Sequence, residues 1–163
     1  MSAGLLLFRR IVGGTVEVLL VHPGGPLWAA RDEGVWSIPK GEAEQGEDLL
    51  SAAHREFVEE LGRKPPATGT PIDLGEVTQS QAKRVHAWAI EAEIDVSTMQ
   101  SNTFEMEWPP RSGRRQRFPE IDEAAWFDVE TARKKLLRAQ RAFIDRLERN
   151  LAGSQARPAH LGS

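Results

Sequence analysis

Three glutamates, Glu56, Glu59 and Glu60, close the stretch GEAEQGEDLLSAAHREFVEELG that runs from Gly41 to Gly62. On a helix Glu56 and Glu60 are i,i+4 neighbours and Glu56 and Glu59 are i,i+3 neighbours, so all three point to one side. This is the unfavourable end for them. A helix C-terminus carries partial negative charge, and like charges one turn apart repel. Arg55 is placed to pair with Glu59 at i,i+4, which offsets one charge only, and Glu47 begins the helix two and a half turns before Glu56. A dense set of hard oxygen ligands beside a glycine-bearing loop suits magnesium, one ion or two. Such an ion would convert repulsion into coordination. A solvated acidic helix face is the ordinary alternative, and the residue types alone leave both readings open.

The elements that must hold these groups are legible in part. Leu50, Ala53, Phe57 and Leu61 recur at spacings of three and four, which predicts a buried helical stripe over Glu47 to Leu61. Gly62 suits the position just past the helix, and Pro65-Pro66 forbids its continuation. Upstream, AGLLLFRR and TVEVLLVH read as two strands joined by a hairpin at Gly13-Gly14. HPGGPLWAARDEGVW reads as a loop and VWSIP as a short strand that stops at Pro39. Downstream, IDLGEVTQ, RVHAWAIEAEI and TFEMEW read as strands, the last alternating Phe104, Met106 and Trp108 against Glu105 and Glu107. PPRSGRRQRFPEIDE reads as a loop and AAWFD as a strand. Asp128 then caps a helix that runs to about Leu151 with a break near Arg138. The pattern predicts one domain over residues 1–152 and a mobile tail over 153–163.

Composition removes several classes of function. The chain has 163 residues, 40% of them hydrophobic and 28% charged, which fits a folded domain and neither a disordered nor a membrane protein. A net charge of -3 gives no global basic footprint, so no stable nucleic-acid partner is expected. The absence of cysteine excludes disulfides, thiolate metal sites and a cysteine nucleophile. MSAGLLLFRR makes a poor signal peptide and no apolar run is long enough to span a bilayer, so the expectation is a cytoplasmic protein with no membrane partner.

Gly41, Glu47 and REFVEELG from Arg55 to Gly62 resemble the Nudix box, G-x5-E-x7-R-E-U-x-E-E-x-G-U with U apolar. Phe57 fills the first apolar slot, whereas Arg63 departs from the last. WSIPKGE before the box and PEIDEAAWFD near the end extend the likeness, the latter toward diadenosine polyphosphate hydrolases. The resemblance implies an α/β/α sandwich with a mixed sheet between helices. It also implies a hydrolase of nucleoside diphosphate derivatives that needs a divalent cation, Mg2+ or alternatively Mn2+. It makes Glu56, Glu59 and Glu60 metal ligands, with the carbonyl of Lys40 completing the set. Glu47 and Arg55 become an ion pair supporting the site, Gly41 lets the loop reach over the helix start, and Gly62 closes the helix.

The chemistry this implies is attack of an activated water on a phosphorus atom of a pyrophosphate chain. Glu120 is the first candidate for general base and a further metal ligand, with Glu123, Glu105 and Glu107 behind it and Glu56 or Glu59 as alternatives inside the box. Arg111, Arg114, Arg115 and Arg117 offer forks for phosphate, with Lys40, Lys83 and Arg84 adding to the field. A solvated basic loop is the plain alternative for the arginines. Trp28, in the Gly/Pro-rich loop, is the aromatic most available to a base, while Trp36 and Trp88 read as core. The expected substrate is a nucleotide, foremost a dinucleoside polyphosphate such as diadenosine tetraphosphate. A sanitising nucleoside triphosphate pyrophosphohydrolase and a silent nucleotide-sensing domain are the alternatives, and oligomeric state is left open.

Overall fold

β1 (Ser2–Arg10) is apolar on both faces because both faces are covered. Leu6 and Phe8 point into one hydrophobic cluster, and Ala3, Leu5 and Leu7 into another. β2 (Val16–Pro23) divides in the same way, Val18 and Leu20 against Leu19 and Val21. The computed structural model describes residues 1–66 and 69–156, without the side chains of 154–156.

The main sheet runs β4-β5-β1-β2-β8, with β4 spanning Ile72–Ser80, β5 Lys83–Glu91 and β8 Ile121–Asp128. β1 and β5 are parallel and the other pairs antiparallel, so the sheet is mixed. α1 (Leu49–Leu61) lays Ala52, Ala53, Phe57 and Leu61 on one face. The C-terminal helices cover the other, α2 (Val129–Lys135) through Ala132 and α3 (Arg141–Ala156) through Phe143, Ile144, Leu147 and Leu151. The result is the α/β/α sandwich expected from the sequence.

One departure from a regular sheet positions the site. β2 pairs with β1 only at the Phe8–Arg10 end, while β3 (Lys40–Glu42) takes the Ser2–Gly4 end of the same strand. The sheet therefore splits between β2 and β3, and the split faces the C-terminal turns of α1. VWSIP does not form the strand expected of it. Val21 exchanges backbone hydrogen bonds with Ser37 at 2.8 and 3.0 Å, and Trp36 bridges to Leu136, each as an isolated bridge. Pro39 has no N–H to extend that pairing.

A second correction concerns the arginine segment. Its latter half is not loop: β7 (Arg115–Pro119) pairs antiparallel with β6 (Thr103–Glu107) in a separate two-stranded sheet. Alternation of charged and apolar residues on both strands puts Glu105, Glu107, Arg115 and Arg117 on one face and Phe104, Met106 and Phe118 on the other. Helix ends follow sequence cues except at Glu47, expected to begin α1, which instead lies in the loop before its cap. Asp48 caps α1 through its side chain to Ser51 N–H, Gly62 ends it in the left-handed region, and Asp128 caps α2. The break near Arg138 is a 3-10 turn over Arg138–Gln140. α3 runs past the boundary placed at residue 152 into the tail expected over 153–163, of which residues 157–163 lie outside the described residues.

Candidate active site

Arg55 organises the acidic turns. Its Nε and Nη2 bind the two carboxylate oxygens of Glu47, each at 2.9 Å, in a bidentate fork. Nη1 donates to Glu56 at 2.9 Å and to Glu59 at 3.2 Å, and Nη2 also reaches the carbonyl of Glu42 at 3.1 Å. Glu47 in turn accepts from the N–H of Glu44 at 2.9 Å, closing the loop before the helix. The fork and this N–H hold the Glu47 carboxyl well below the usual carboxylate range, at about 2. One guanidinium thus ties the loop, the helix start and two of the three clustered glutamates together.

The remaining carboxyls move the other way. Glu60 accepts from the N–H of Lys40 at 3.0 Å, and burial pushes its carboxyl up to about 8 despite that bond and the Lys40 ammonium. Glu120 and Glu56 add repulsion. Glu56 is raised by burial and by Glu59, in spite of Arg55. Glu120 is raised by burial and by Glu59. Glu56 and Glu60 on α1 and Glu120 between β7 and β8 are thus each held back from ionising by burial and by neighbouring carboxylates. Backbone hydrogen bonds explain why Glu120 joins them: Asn102 N–H donates to Glu59 O at 3.0 Å, and Glu120 N–H donates to Asn102 O at 2.8 Å.

Gly41 sits directly beneath Glu56. A Cβ built on it would stand 2.0 Å from the Glu56 carboxyl carbon and 2.0 Å from one of its oxygens. The need for glycine here is space. Gly41 is not among the residues with positive φ, so the conformational reason expected from the sequence gives way to close approach. The donor set suits a divalent cation, since a positive ion would remove the mutual repulsion that raises Glu56, Glu60 and Glu120. Among the described residues, however, no three or more His, Asp or Glu side chains are arranged as a closed cation site. The hydrogen bonds of Arg55 to Glu56 and Glu59 show where part of the ligand capacity is directed.

Beside Glu60 the split in the sheet opens as a cavity of about 350 Å³. Val21, Pro23, Val35, Ile121, Leu137 and the ring of Trp28 give it apolar walls, and Lys40, Lys83, Gln79, Ser37 and Glu60 supply its polar groups. Burial lowers the Lys40 ammonium, and Lys83 lowers it further, against the attraction of Glu60.

A Nudix domain profile matches residues 4–147. The chain belongs to the Nudix family. An RNA pyrophosphohydrolase of Caulobacter vibrioides is 42% identical over 52 residues, which are 29% of this chain and 30% of that protein. The match thus spans less than a third of the relative's length. The crystal structure of a C. elegans Ap4A hydrolase binary complex has a TM-score of 0.65 at 24% identity, covering 94% of this chain and 99% of that one. The Nudix domain of Shewanella oneidensis NrtR, complexed with ADP ribose, has a TM-score of 0.55 at 16% identity over 92% of this chain and 86% of that one. At these identities the two structures are alike in fold.

Around the Nudix box the structure brings together Lys40, Gly41, Glu47, Arg55, Glu56, Glu59, Glu60 and Glu120. It also places Trp28 on the cavity wall, 37% exposed, with the Arg31 guanidinium 5.5 Å from its ring centroid. It does not bring the four arginines there. Arg115 and Arg117 lie 3.9 and 3.5 Å from Glu105, at the exposed face of the hairpin. Arg111 and Arg114 occupy its far turn, and none of the four lines the cavity. Arg84 is spent on Glu76, whereas Lys83 lines the cavity. Gly62 does more than end the helix: a Cβ there would lie 2.6 Å from the carbonyl of Gln100. Arg63, the departure from the box, donates to Thr98 Oγ1 at 2.9 Å instead of packing.

Sequence reasoning missed the clamp on the Trp28 loop. His22 Nδ1 lies 2.8 Å from Asp122 Oδ1 and Nε2 lies 2.6 Å from the carbonyl of Arg31. A carbonyl and a carboxylate only accept, so both contacts are satisfied together when the ring is protonated. Burial alone would lower the His22 pKa, but the Arg31 carbonyl and Asp122 outweigh it and leave it raised. An isolated histidine at a strand end gives no hint of two acceptors so far apart in sequence.

Proposed function

We propose that the chain is a magnesium-dependent Nudix hydrolase that splits a pyrophosphate linkage in a nucleoside diphosphate derivative, foremost a dinucleoside polyphosphate such as diadenosine tetraphosphate. The observation that carries this reading is the meeting of three carboxyls raised by burial and by neighbouring acids, Glu56, Glu60 and Glu120, with Glu59 beside them, at a half-apolar cavity that holds Lys40 and Lys83. Glu56, Glu59, Glu60, Glu120 and the Lys40 carbonyl are the groups that would hold the ion, with manganese as the alternative metal. When bound, the cation supplies charge neutralisation for the pyrophosphate oxygens and acidity for a water.

The chain's own residues do the rest. Lys40 and Lys83 face the phosphates from inside the split, and Trp28 gives a base an aromatic wall. Glu120, raised by burial and by Glu59, is poised to take the proton of the attacking water. Arg55 and Glu47 fix the helix against the loop, so the carboxyls and the Lys40 carbonyl keep their relative positions. The apolar walls limit water to the reacting side.

Turnover on a panel with magnesium or manganese tests the reading. The panel holds diadenosine tetraphosphate, nucleoside triphosphates, ADP ribose and 5′-triphosphorylated RNA. Dinucleoside polyphosphates should give the highest kcat/KM. A higher value for triphosphates favours the sanitising reading, one for RNA favours the chemistry named for the Caulobacter relative, and no turnover at all favours a silent sensor. Glu120→Gln should lower kcat by about 10²- to 10⁴-fold if it is the base. Unchanged kcat returns that role to Glu59.

A further inference from the structure

A buried amide network fixes what the cavity can offer a ligand. Gln140 is 0% exposed, and its Oε1 accepts the backbone N–H of Ile38 at 2.9 Å. A backbone N–H can only donate, so this contact decides which end of the Gln140 amide is oxygen. Its Nε2 then donates to Ser37 Oγ at 3.1 Å and to Gln79 Oε1 at 2.9 Å. Ser37 Oγ donates onward to the carbonyl of Ile38 at 2.7 Å, which uses its only proton. The orientation of Gln79 follows. Its oxygen is held by Gln140, and its NH2, which has no partner among the described residues, belongs to a side chain lining the cavity.

A free glutamine can turn its amide to read either a donor or an acceptor. Gln79 cannot turn without setting its NH2 against that of Gln140. The other polar groups on the cavity wall are Lys40 and Lys83, which only donate, Ser37, whose proton is committed, and Glu60 at the metal side. Away from Glu60, the side-chain donors on this wall are Lys40, Lys83 and the Gln79 amide nitrogen, while Ser37 Oγ and Gln79 Oε1 each already accept from Gln140. An exocyclic carbonyl placed against the Gln79 NH2 would be satisfied, whereas an exocyclic amine at the same point would meet a second donor.

We propose that Gln79 is a specificity-determining residue, locked by Gln140 as a donor, which selects nucleotides whose base presents an oxo group, so that 6-oxopurines are favoured over 6-aminopurines. This rests on the reading that the site takes a nucleotide and narrows it: among dinucleoside polyphosphates the 6-oxopurine forms rank above the diadenosine form proposed as substrate. Gln140 is the positioning residue: it reaches the ligand only through Gln79. The preference is for the base alone and is independent of which phosphate linkage is cut.

The cleanest probe changes only the 6-position. Tryptophan fluorescence measures binding of IDP and ADP without turnover, and kcat/KM is compared for the diinosine and diadenosine tetraphosphates. The parent should favour the inosine form by roughly tenfold, the scale of one unmatched polar group. Gln79→Glu keeps an oxygen toward Gln140 and puts an oxygen where the NH2 was. It weakens both ligands through charge, but the ratio should reverse toward the adenine form. Gln140→Met removes the lock and should bring the ratio toward one, with the change in KM and not in kcat. Because Gln140→Met risks the fold, Gln79→Glu, at the cavity wall, decides. Equal binding of IDP and ADP by the parent, or the same ratio in Gln79→Glu as in the parent, overturns the assignment. Failure to hydrolyse either dinucleotide while the IDP preference holds would count against the hydrolase reading and leave the base selection standing.

Discussion

Gly41→Ala isolates a single contact at the site. The backbone there is not in the left-handed region, so alanine meets no conformational penalty. Its Cβ, however, would stand 2.0 Å from the Glu56 carboxyl, against the 3.4 Å at which ordinary contact begins. The carboxyl must retreat by more than an ångström, which draws it away from both the Lys40 loop and Arg55. Misplacement of this size in a catalytic group costs about 10²-fold in rate. The expected kcat/KM loss is therefore about 10²-fold, while Tm moves by less than about 4 °C, the equivalent of about 1 kcal/mol in a domain of this size. A cycle with Glu56→Ala separates cause from coincidence. With the Glu56 carboxyl already gone, adding Gly41→Ala should cost less than about twofold, a coupling of about 2–3 kcal/mol between the positions. Equal losses in both backgrounds would show that alanine acts through the β3 backbone, and near-parent activity of Gly41→Ala would refute the role given to the close approach.

Three further outcomes follow from the same geometry. Glu60→Gln keeps an oxygen for the Lys40 N–H but loses the charge, so turnover should fall by at least about 10²-fold with the fold intact. Without metal it should also change pH dependence. In the parent the folded state holds a proton on Glu60 from the ordinary 4.5 up to about 8, so parent stability falls across that window and the variant's should fall less; urea midpoints at several pH values check this. Arg55→Lys replaces a fork with a point charge and cannot serve Glu47, Glu56, Glu59 and the Glu42 carbonyl together. A loss of about 1–2 kcal/mol in urea unfolding and a larger loss of activity are expected, and activity within twofold of the parent would contradict it. For His22, whose folded pKa is raised above 6.5, the clamp's contribution should be complete below 6.5 and lost as pH rises through the folded value. Titration of the His22 ring by NMR, with Trp28 emission as a report of the loop, would show the two changing together or dismiss the link.

The sandwich was readable because its signals are local and periodic. The stripe Leu50, Ala53, Phe57 and Leu61, the Gly62 stop, the Asp128 cap and the Gly13-Gly14 turn each follow from a few neighbouring residues. The clustering of the box glutamates was likewise a matter of helical spacing. What failed was non-local. Nothing near VWSIP says that β3 will take half of β1, yet that exchange reduces the segment to isolated bridges and opens the cavity. Arg115 and Arg117 looked like loop because the residues that alternate with them are Gln116 and Phe118, of which one alone is apolar, too short a pattern to read before β6 is known to pair with it. Gln79, Ser37 and Gln140 are three ordinary polar residues in sequence. They matter only once the fold has placed the backbone N–H of Ile38 against a side chain from the far end of the chain.

The glutamates at the unfavourable end of α1 now have a physical account that includes their neighbours. Helix ends place acids beside the last carbonyls only when something else repays the repulsion. Here Arg55 repays part of it, spanning Glu47, Glu56 and Glu59 with hydrogen bonds of 2.9 to 3.2 Å. It does not reach Glu60 or Glu120, and these, like Glu56, stay raised. The imbalance is selective. The side of the helix that meets Glu47 is neutralised and structurally fixed, while the side that meets the cavity is left short of positive charge. A fully paired cluster would be more stable and would have little affinity for a cation. A fully unpaired one would spread its side chains into solvent and lose its geometry. The arrangement lies between these extremes, with one internal guanidinium holding the Glu47 side and one unmet demand facing Lys40 and the cavity.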